Sequence, residues 1–254
     1  MNISGISAVV TGGASGLGLA TVEHLLAEGA AHVVIADYAE NGGEVAEQLG
    51  DRVSFVRADV REEEPVAEAI ALAASHGPLR AVVHCAGRGG AVRLVNRDGT
   101  AGDYDLYKEV VSINLFGSFN VLRLAATEMA KNEPVDGDRG VVILTASVAA
   151  FEGQIGQMPY ASAKAGIHGM TIVAARDLAS KAIRVMTIAP GTFDTPILAR
   201  LSQDVRDSLA RTVPHPSRLG QASEYAHLAG AIIENAMLNG ETIRLDGAIR
   251  MAPR

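Results

Sequence analysis

Short runs of β-branched apolar residues alternate along this chain with longer stretches of helical periodicity, and that rhythm leaves few folds open. Strands are predicted at Ser7–Thr11, His32–Asp37, Val53–Ala58, Arg80–Cys85, Val141–Ala146, Arg184–Ala189 and Thr242–Leu245. Several are apolar on consecutive residues, as in Val141-Val142-Ile143-Leu144, the pattern of strands covered on both faces. Helices are predicted at Leu17–Glu28, Glu62–Ser75, Tyr107–Ala130, Ala161–Ala179 and Ser223–Asn235. The alternation predicts an α/β fold: a doubly wound parallel sheet of about seven strands, helices on both faces, and right-handed crossovers. No repeat, low-complexity tract or linker divides the chain, so residues 1–254 are expected to form a single domain. Two stretches break the rhythm, Arg88–Asp105 and Thr192–Pro216. Both leave the carboxyl ends of strands, where ligands bind in such sheets, and they are expected to cover a substrate.

The run Thr11-Gly12-Gly13-Ala14-Ser15-Gly16-Leu17-Gly18 joins the first strand to the first helix. Glycines let the backbone turn sharply and approach an anion, and the helix N-terminus adds free N–H groups and a positive dipole end. That placement points to a dinucleotide pyrophosphate. Asp37 ends the second strand, where a carboxylate can accept from both adenosine ribose hydroxyls and would repel a 2′-phosphate. Residues 1 to 51 contain no Lys or Arg to receive such a phosphate, so the expected cofactor is NAD. Asp37 as a mere cap after its strand is the competing reading. Asp59-Val60 repeats the geometry after the third strand, either holding adenine or closing an ordinary turn.

Tyr160 and Lys164 lie four apart in a helical segment and therefore share a face. An ammonium beside a phenol favours the phenolate, so Tyr160 is expected to serve as acid and base near neutral pH. Ser147, just past strand five, would hold a substrate oxygen or satisfy its own loop. Asn114 sits in the middle of a predicted helix, where Asn is a poor choice. It is either buried to hold a water near Lys164 or exposed.

Composition excludes other classes. There are 29 Asp plus Glu against 22 Lys plus Arg, a net charge of −7, so phosphate neutralisation of nucleic acid is not expected. Aromatics are 4% with no Trp, which argues against base stacking. The seven His are spaced too widely for a zinc pair, so no metal is expected. No apolar run reaches the roughly 18 residues of a membrane span, and no cationic leader precedes Arg52. The lone Cys85 excludes an intrachain disulfide, and a reducing, cytoplasmic location is the expectation.

Together Thr-Gly-x-x-x-Gly-x-Gly, Asn114, Ser147, Tyr160-x-x-x-Lys164 and Pro190-Gly191 resemble the short-chain dehydrogenase/reductase family, in the family's order and over essentially the whole chain. Residues 146–154, 216–220, 224–228 and 238–251 are similar to the branch acting on 3-hydroxyacyl-CoA esters, whose members are also described as 17β-hydroxysteroid dehydrogenases. The resemblance implies a Rossmann-type NAD-dependent oxidoreductase. It would interconvert short or branched 3-hydroxyacyl-CoA and 3-oxoacyl-CoA in fatty acid metabolism, as a homotetramer. Tyr160 would be the proton donor and acceptor. Lys164 would bind the nicotinamide ribose and lower the Tyr160 pKa. Ser147 would orient the substrate and Asn114 would maintain a proton relay. Gly12, Ser15, Gly16, Leu17, Gly18, Asp37, Asp59, Val60, Cys85, Ala86, Gly87, Pro190, Phe193 and Thr195 would contact the cofactor. Where the family usually has Asn after strand four, this chain has His84, read as a structural substitute. Arg88, Arg93, Arg97 and Arg200 are candidates for a cationic rim toward CoA phosphates. Hydroxysteroid dehydrogenase and 3-oxoacyl-carrier-protein reductase are the alternatives within the class. An inactive dinucleotide-binding scaffold is the alternative outside it.

Overall fold

The computed structural model describes residues 1–196, 198 and 202–253. Seven parallel strands form the sheet: β1 (Ser7–Thr11), β2 (His32–Asp37), β3 (Val53–Arg57), β4 (Leu79–His84), β5 (Gly140–Thr145), β6 (Ile183–Pro190) and, at the far edge, β9 (Thr242–Leu245), in the order β3-β2-β1-β4-β5-β6-β9. Each strand's alternating side chains feed two cores. Val9, Val142 and Val185 point to one face, which α3 (Glu63–Ser75), α5 (Gly117–Met129) and α6 (Met158–Asp177) cover. Val10, Ile143 and Met186 point to the other, which α1 (Gly16–Ala27) and α8 (Ala222–Glu234) cover. Burial on both faces explains the unbroken apolar runs in the sequence.

Strand order reverses between β1 and β4, so their carboxyl ends open a crevice at the switch point. Thr11, His84 and Cys85 meet there: the Cys85 N–H donates to the Thr11 carbonyl at 3.1 Å.

Predicted strands agree with the structure to within one residue at their ends, and predicted helices to within three. Two helices escaped prediction. The first, α2 (Gly42–Leu49), opens on Gly42-Gly43, a poor helix start by propensity. Gly42 is needed there because a Cβ would lie 2.1 Å from the Phe55 ring. The second, α7 (Gln203–Arg211), lies inside the stretch predicted as a substrate loop, and none of its residues is buried. The two-residue strands β7 (Phe193–Asp194) and β8 (Gly220–Gln221) also pair in this region.

Residues 104–129 form one long helix in which α4 (Tyr104–Val111) and α5 flank a π-helical turn at Ser112–Phe116. By length and apolarity alone this 26-residue helix would pass for a membrane span, with a mean hydropathy of 1.3. Half of that window is buried in the protein, the profile of a core helix.

Candidate active site

The cleft at the switch point is a cavity of about 850 Å³ that runs from Asp37 and Asp59 to Ser147, Tyr160 and Lys164. At one end the glycine turn packs closely against neighbouring backbone. Gly12 has φ +66°, and a Cβ on it would meet the Ala86 nitrogen at 2.8 Å. A Cβ on Gly18 would lie 2.1 Å from the Gly12 carbonyl oxygen, so the helix can approach the turn this closely only without one. Asp37 binds this turn to β2: its Oδ2 accepts from the Ala14 N–H at 2.9 Å, and its Oδ1 from the Ala39 N–H at 3.0 Å. Gly12, Ser15, Gly16, Leu17, Gly18, Asp37, Asp59, Val60, Cys85, Ala86, Gly87, Pro190, Phe193 and Thr195 all line the cavity. A glycine turn at a helix N-terminus, with a carboxylate at the end of β2, fits a dinucleotide.

The adenine end holds more charge than the sequence suggested. Asp59 is engaged by Arg61, whose Nε lies 3.0 Å from Oδ1 and 3.1 Å from Oδ2. That guanidinium holds the Asp59 carboxyl below its ordinary range. Arg57 is the register partner of Asp37 on β3, and its guanidinium pairs with Glu40 at 3.8 Å. Its guanidinium packs over the Tyr38 ring at 5.2 Å.

At the other end, Tyr160 sits in the first turns of α6, with Pro159 at the helix start. Ser147 accepts from the Ala149 N–H at 3.1 Å, so it does satisfy its loop while its own proton stays free to be donated. Lys164 is buried, and its Nζ donates to the Thr145 carbonyl at 2.7 Å. Asn114 is fully buried within the π-helical turn, which settles the open choice against exposure. Its Nδ2 donates to the Arg88 carbonyl at 2.7 Å and the Val110 carbonyl at 2.8 Å. Such turns often mark functional sites, because the extra residue re-aims a side chain. A Cβ on Gly87 would lie 2.7 Å from Asn114 Oδ1 and 3.4 Å from Lys164 Nζ, which explains the glycine.

The Lys164 ammonium lies 5.5 Å from the centre of the Tyr160 ring, held there by its bond to the Thr145 carbonyl. Burial pushes the Tyr160 hydroxyl up, and hydrogen bonding with Ser147 opposes that. Burial also lowers Lys164 itself to about 8.

His84 takes the structural role read from the sequence. Its Nδ1 lies 2.7 Å from Thr11 Oγ1, across the β1–β4 pairing. Burial holds the ring neutral, with a pKa lowered to about 3. Between pH 6.5 and 3 the unfolded chain binds a proton that the folded chain refuses. The stability this neutral ring allows is complete above 6.5 and lost as pH falls through that window, at roughly 1.4 kcal/mol per pH unit. We therefore expect the melting temperature of the parent to fall more steeply between pH 6 and 4.5 than that of His84→Asn. Parallel melting curves would contradict this.

Of the candidates for a cationic rim, Arg88 lines the cavity and pairs with Glu109 on α4, whereas Arg93 and Arg97 are exposed. Arg200 lies outside the described residues. Sequence reasoning missed Thr145, Arg61, Glu109 and Gln157, all of which line the cavity. Each is an ordinary residue type for its element, so no local signal marks it.

Comparison with known proteins narrows the reading. Residues 7–206 match the short chain dehydrogenase family. The chain is 53% identical to a human protein named 3-hydroxyacyl-CoA dehydrogenase type-2, over 99% of this chain and 98% of the relative. It is 52% identical to the protein of that name from Drosophila melanogaster, over 96% and 97%. A crystal structure of 3-hydroxyacyl-CoA dehydrogenase type-2 from Mycobacterium avium superposes with a TM-score of 0.95, at 47% identity and 98% coverage of both chains.

Proposed function

Because the chain belongs to the short chain dehydrogenase family, and so uses a nicotinamide dinucleotide, we propose that it interconverts 3-hydroxyacyl-CoA and 3-oxoacyl-CoA with NAD as the cofactor. The observation that carries this reading is the joint placement of Asp37 at one end of the cavity and of Ser147, Tyr160 and Lys164 at the other. The bound nicotinamide supplies the hydride acceptor in one direction and the donor in the other. The chain's own residues do the rest. The Tyr160 oxygen takes the substrate hydroxyl proton during oxidation and returns it during reduction. Ser147 donates to the oxygen that becomes the carbonyl. Lys164, anchored on the Thr145 carbonyl, brings positive charge to the phenol and offers its remaining protons to the ribose, and Asn114 holds the adjoining turn so that protons can pass to solvent. For the adenosine half, Asp37 accepts from the ribose and excludes a 2′-phosphate.

Steady-state kinetics with a panel of substrates tests the assignment. Short or branched 3-hydroxyacyl-CoA with NAD should give the highest kcat/KM. A hydroxysteroid or an acyl-carrier-protein thioester in first place would overturn it.

We also infer a homotetramer. Phe116 and Phe119 on the long helix and Val173 on α6 are each more than half exposed, an apolar surface that a second copy would cover. Light scattering should return about four times the chain mass, and a monomer would contradict this. A cytoplasmic location rests on the lone cysteine alone, and activity that sediments with organelles would exclude it.

A further inference from the structure

The Lys164 carbonyl anchor is itself held from the opposite face of the sheet. Thr145 Oγ1 lies 2.6 Å from the His84 carbonyl oxygen, which can only accept, so the threonine proton is spent there. The same Oγ1 lies 2.7 Å from the Tyr225 hydroxyl and must therefore accept from it. Tyr225 in turn accepts from the Cys85 thiol at 3.6 Å. The chain runs one way: Cys85 S–H to Tyr225 O–H to Thr145 O–H to the His84 carbonyl. Every donor has an acceptor.

Tyr225 is fully buried and projects from α8, whereas Lys164 projects from α6 on the other side of the sheet. Thr145 is the link between them, its side chain turned to Tyr225 and its carbonyl to Lys164. A phenylalanine would fill the same space, so packing does not require the hydroxyl. We propose that Tyr225 is a positioning residue for the hydride-transfer reaction: its hydroxyl locks Thr145, and the Thr145 carbonyl sets where the Lys164 ammonium stands relative to Tyr160. This rests on the role proposed for Tyr160 and Lys164. The ionisable groups around that ammonium are His84 at the end of β4, Cys85 just past it, and Tyr160 on α6. Burial keeps His84 uncharged and holds the Cys85 thiol up at about 11, leaving Tyr160 as the group that responds.

Tyr225→Phe tests this while preserving packing. With NAD bound, the Tyr160 phenolate is read from absorbance near 295 nm, as the difference between each protein and its own Tyr160→Phe version. In Tyr225→Phe the phenolate should appear about 0.5 to 1 pH unit higher than in the parent, the worth of one hydrogen bond. Below the phenolate pKa, the kcat for 3-hydroxybutyryl-CoA oxidation should fall about three- to tenfold, with its pH profile displaced the same way and the KM for NAD little changed. Thr145→Val should reproduce the shift, and adding Tyr225→Phe to it should add nothing further. Titration curves and pH profiles that superimpose on the parent's, whatever happens to the melting temperature, would overturn the proposal. Failure of the parent to oxidise 3-hydroxybutyryl-CoA would instead strike the substrate assignment, since the absorbance titration needs no substrate.

Discussion

Replacing Tyr160 by Phe is expected to lower kcat by about 10² to 10⁴-fold, the range of a positioned general acid or base, while NADH still binds. The phenol is the one protonic group that the helix start of α6 delivers into the cavity beside Ser147. Its removal leaves the cavity wall intact, because phenylalanine keeps the ring against which the Lys164 ammonium sits. Binding and chemistry should therefore separate cleanly: NADH fluorescence titrations unchanged within about twofold, turnover nearly gone. Turnover retained at the parent's level would remove Tyr160 from the mechanism.

Replacing Asp37 is expected to give the second largest effect, on the choice of coenzyme. A carboxylate that accepts from ribose hydroxyls is worth about 1.5–3 kcal/mol per charged hydrogen bond, or roughly 10- to 100-fold in KM for NAD. The same change removes the repulsion toward a 2′-phosphate. The kcat/KM ratio of NAD to NADP should thus fall by about 10²-fold or more in Asp37→Ala. That variant also frees the Ala14 N–H, which Asp37 holds in the glycine turn. Asp37→Asn answers this, since its amide oxygen can still accept from Ala14 while the negative charge is gone. If both variants keep the parent's coenzyme ratio, Asp37 is a cap on its turn and nothing more.

The sequence disclosed the sheet almost entirely, because strands buried on both faces have no choice but to be apolar throughout. It disclosed the glycine turn, where Gly12 and Gly18 have no side chain because another backbone occupies the space, but not the walls formed by Thr145, Arg61, Glu109 and Gln157. It was mute where structure depends on one contact. Gly42 starts a helix only because Phe55 lies against it, a fact no local pattern carries. The π-helical turn around Asn114 was hidden inside an ordinary apolar periodicity. Electrostatics were the least legible. Four-residue spacing did put Tyr160 and Lys164 on one face, but it could not show that the ammonium is bonded to the Thr145 carbonyl. Nor could it show that Arg57, far from the glycine turn in sequence, is the register neighbour of Asp37.

The central claim is that a hydride leaves carbon 3 of the acyl chain for the coenzyme while Tyr160 takes the hydroxyl proton. A 3-hydroxybutyryl-CoA carrying deuterium on carbon 3 puts this to the most direct test, with NAD as the only oxidant. The account predicts one deuterium in the reduced nicotinamide for each acetoacetyl-CoA formed, and none in water. Deuterium retained on the acyl chain, or released to solvent, would contradict it.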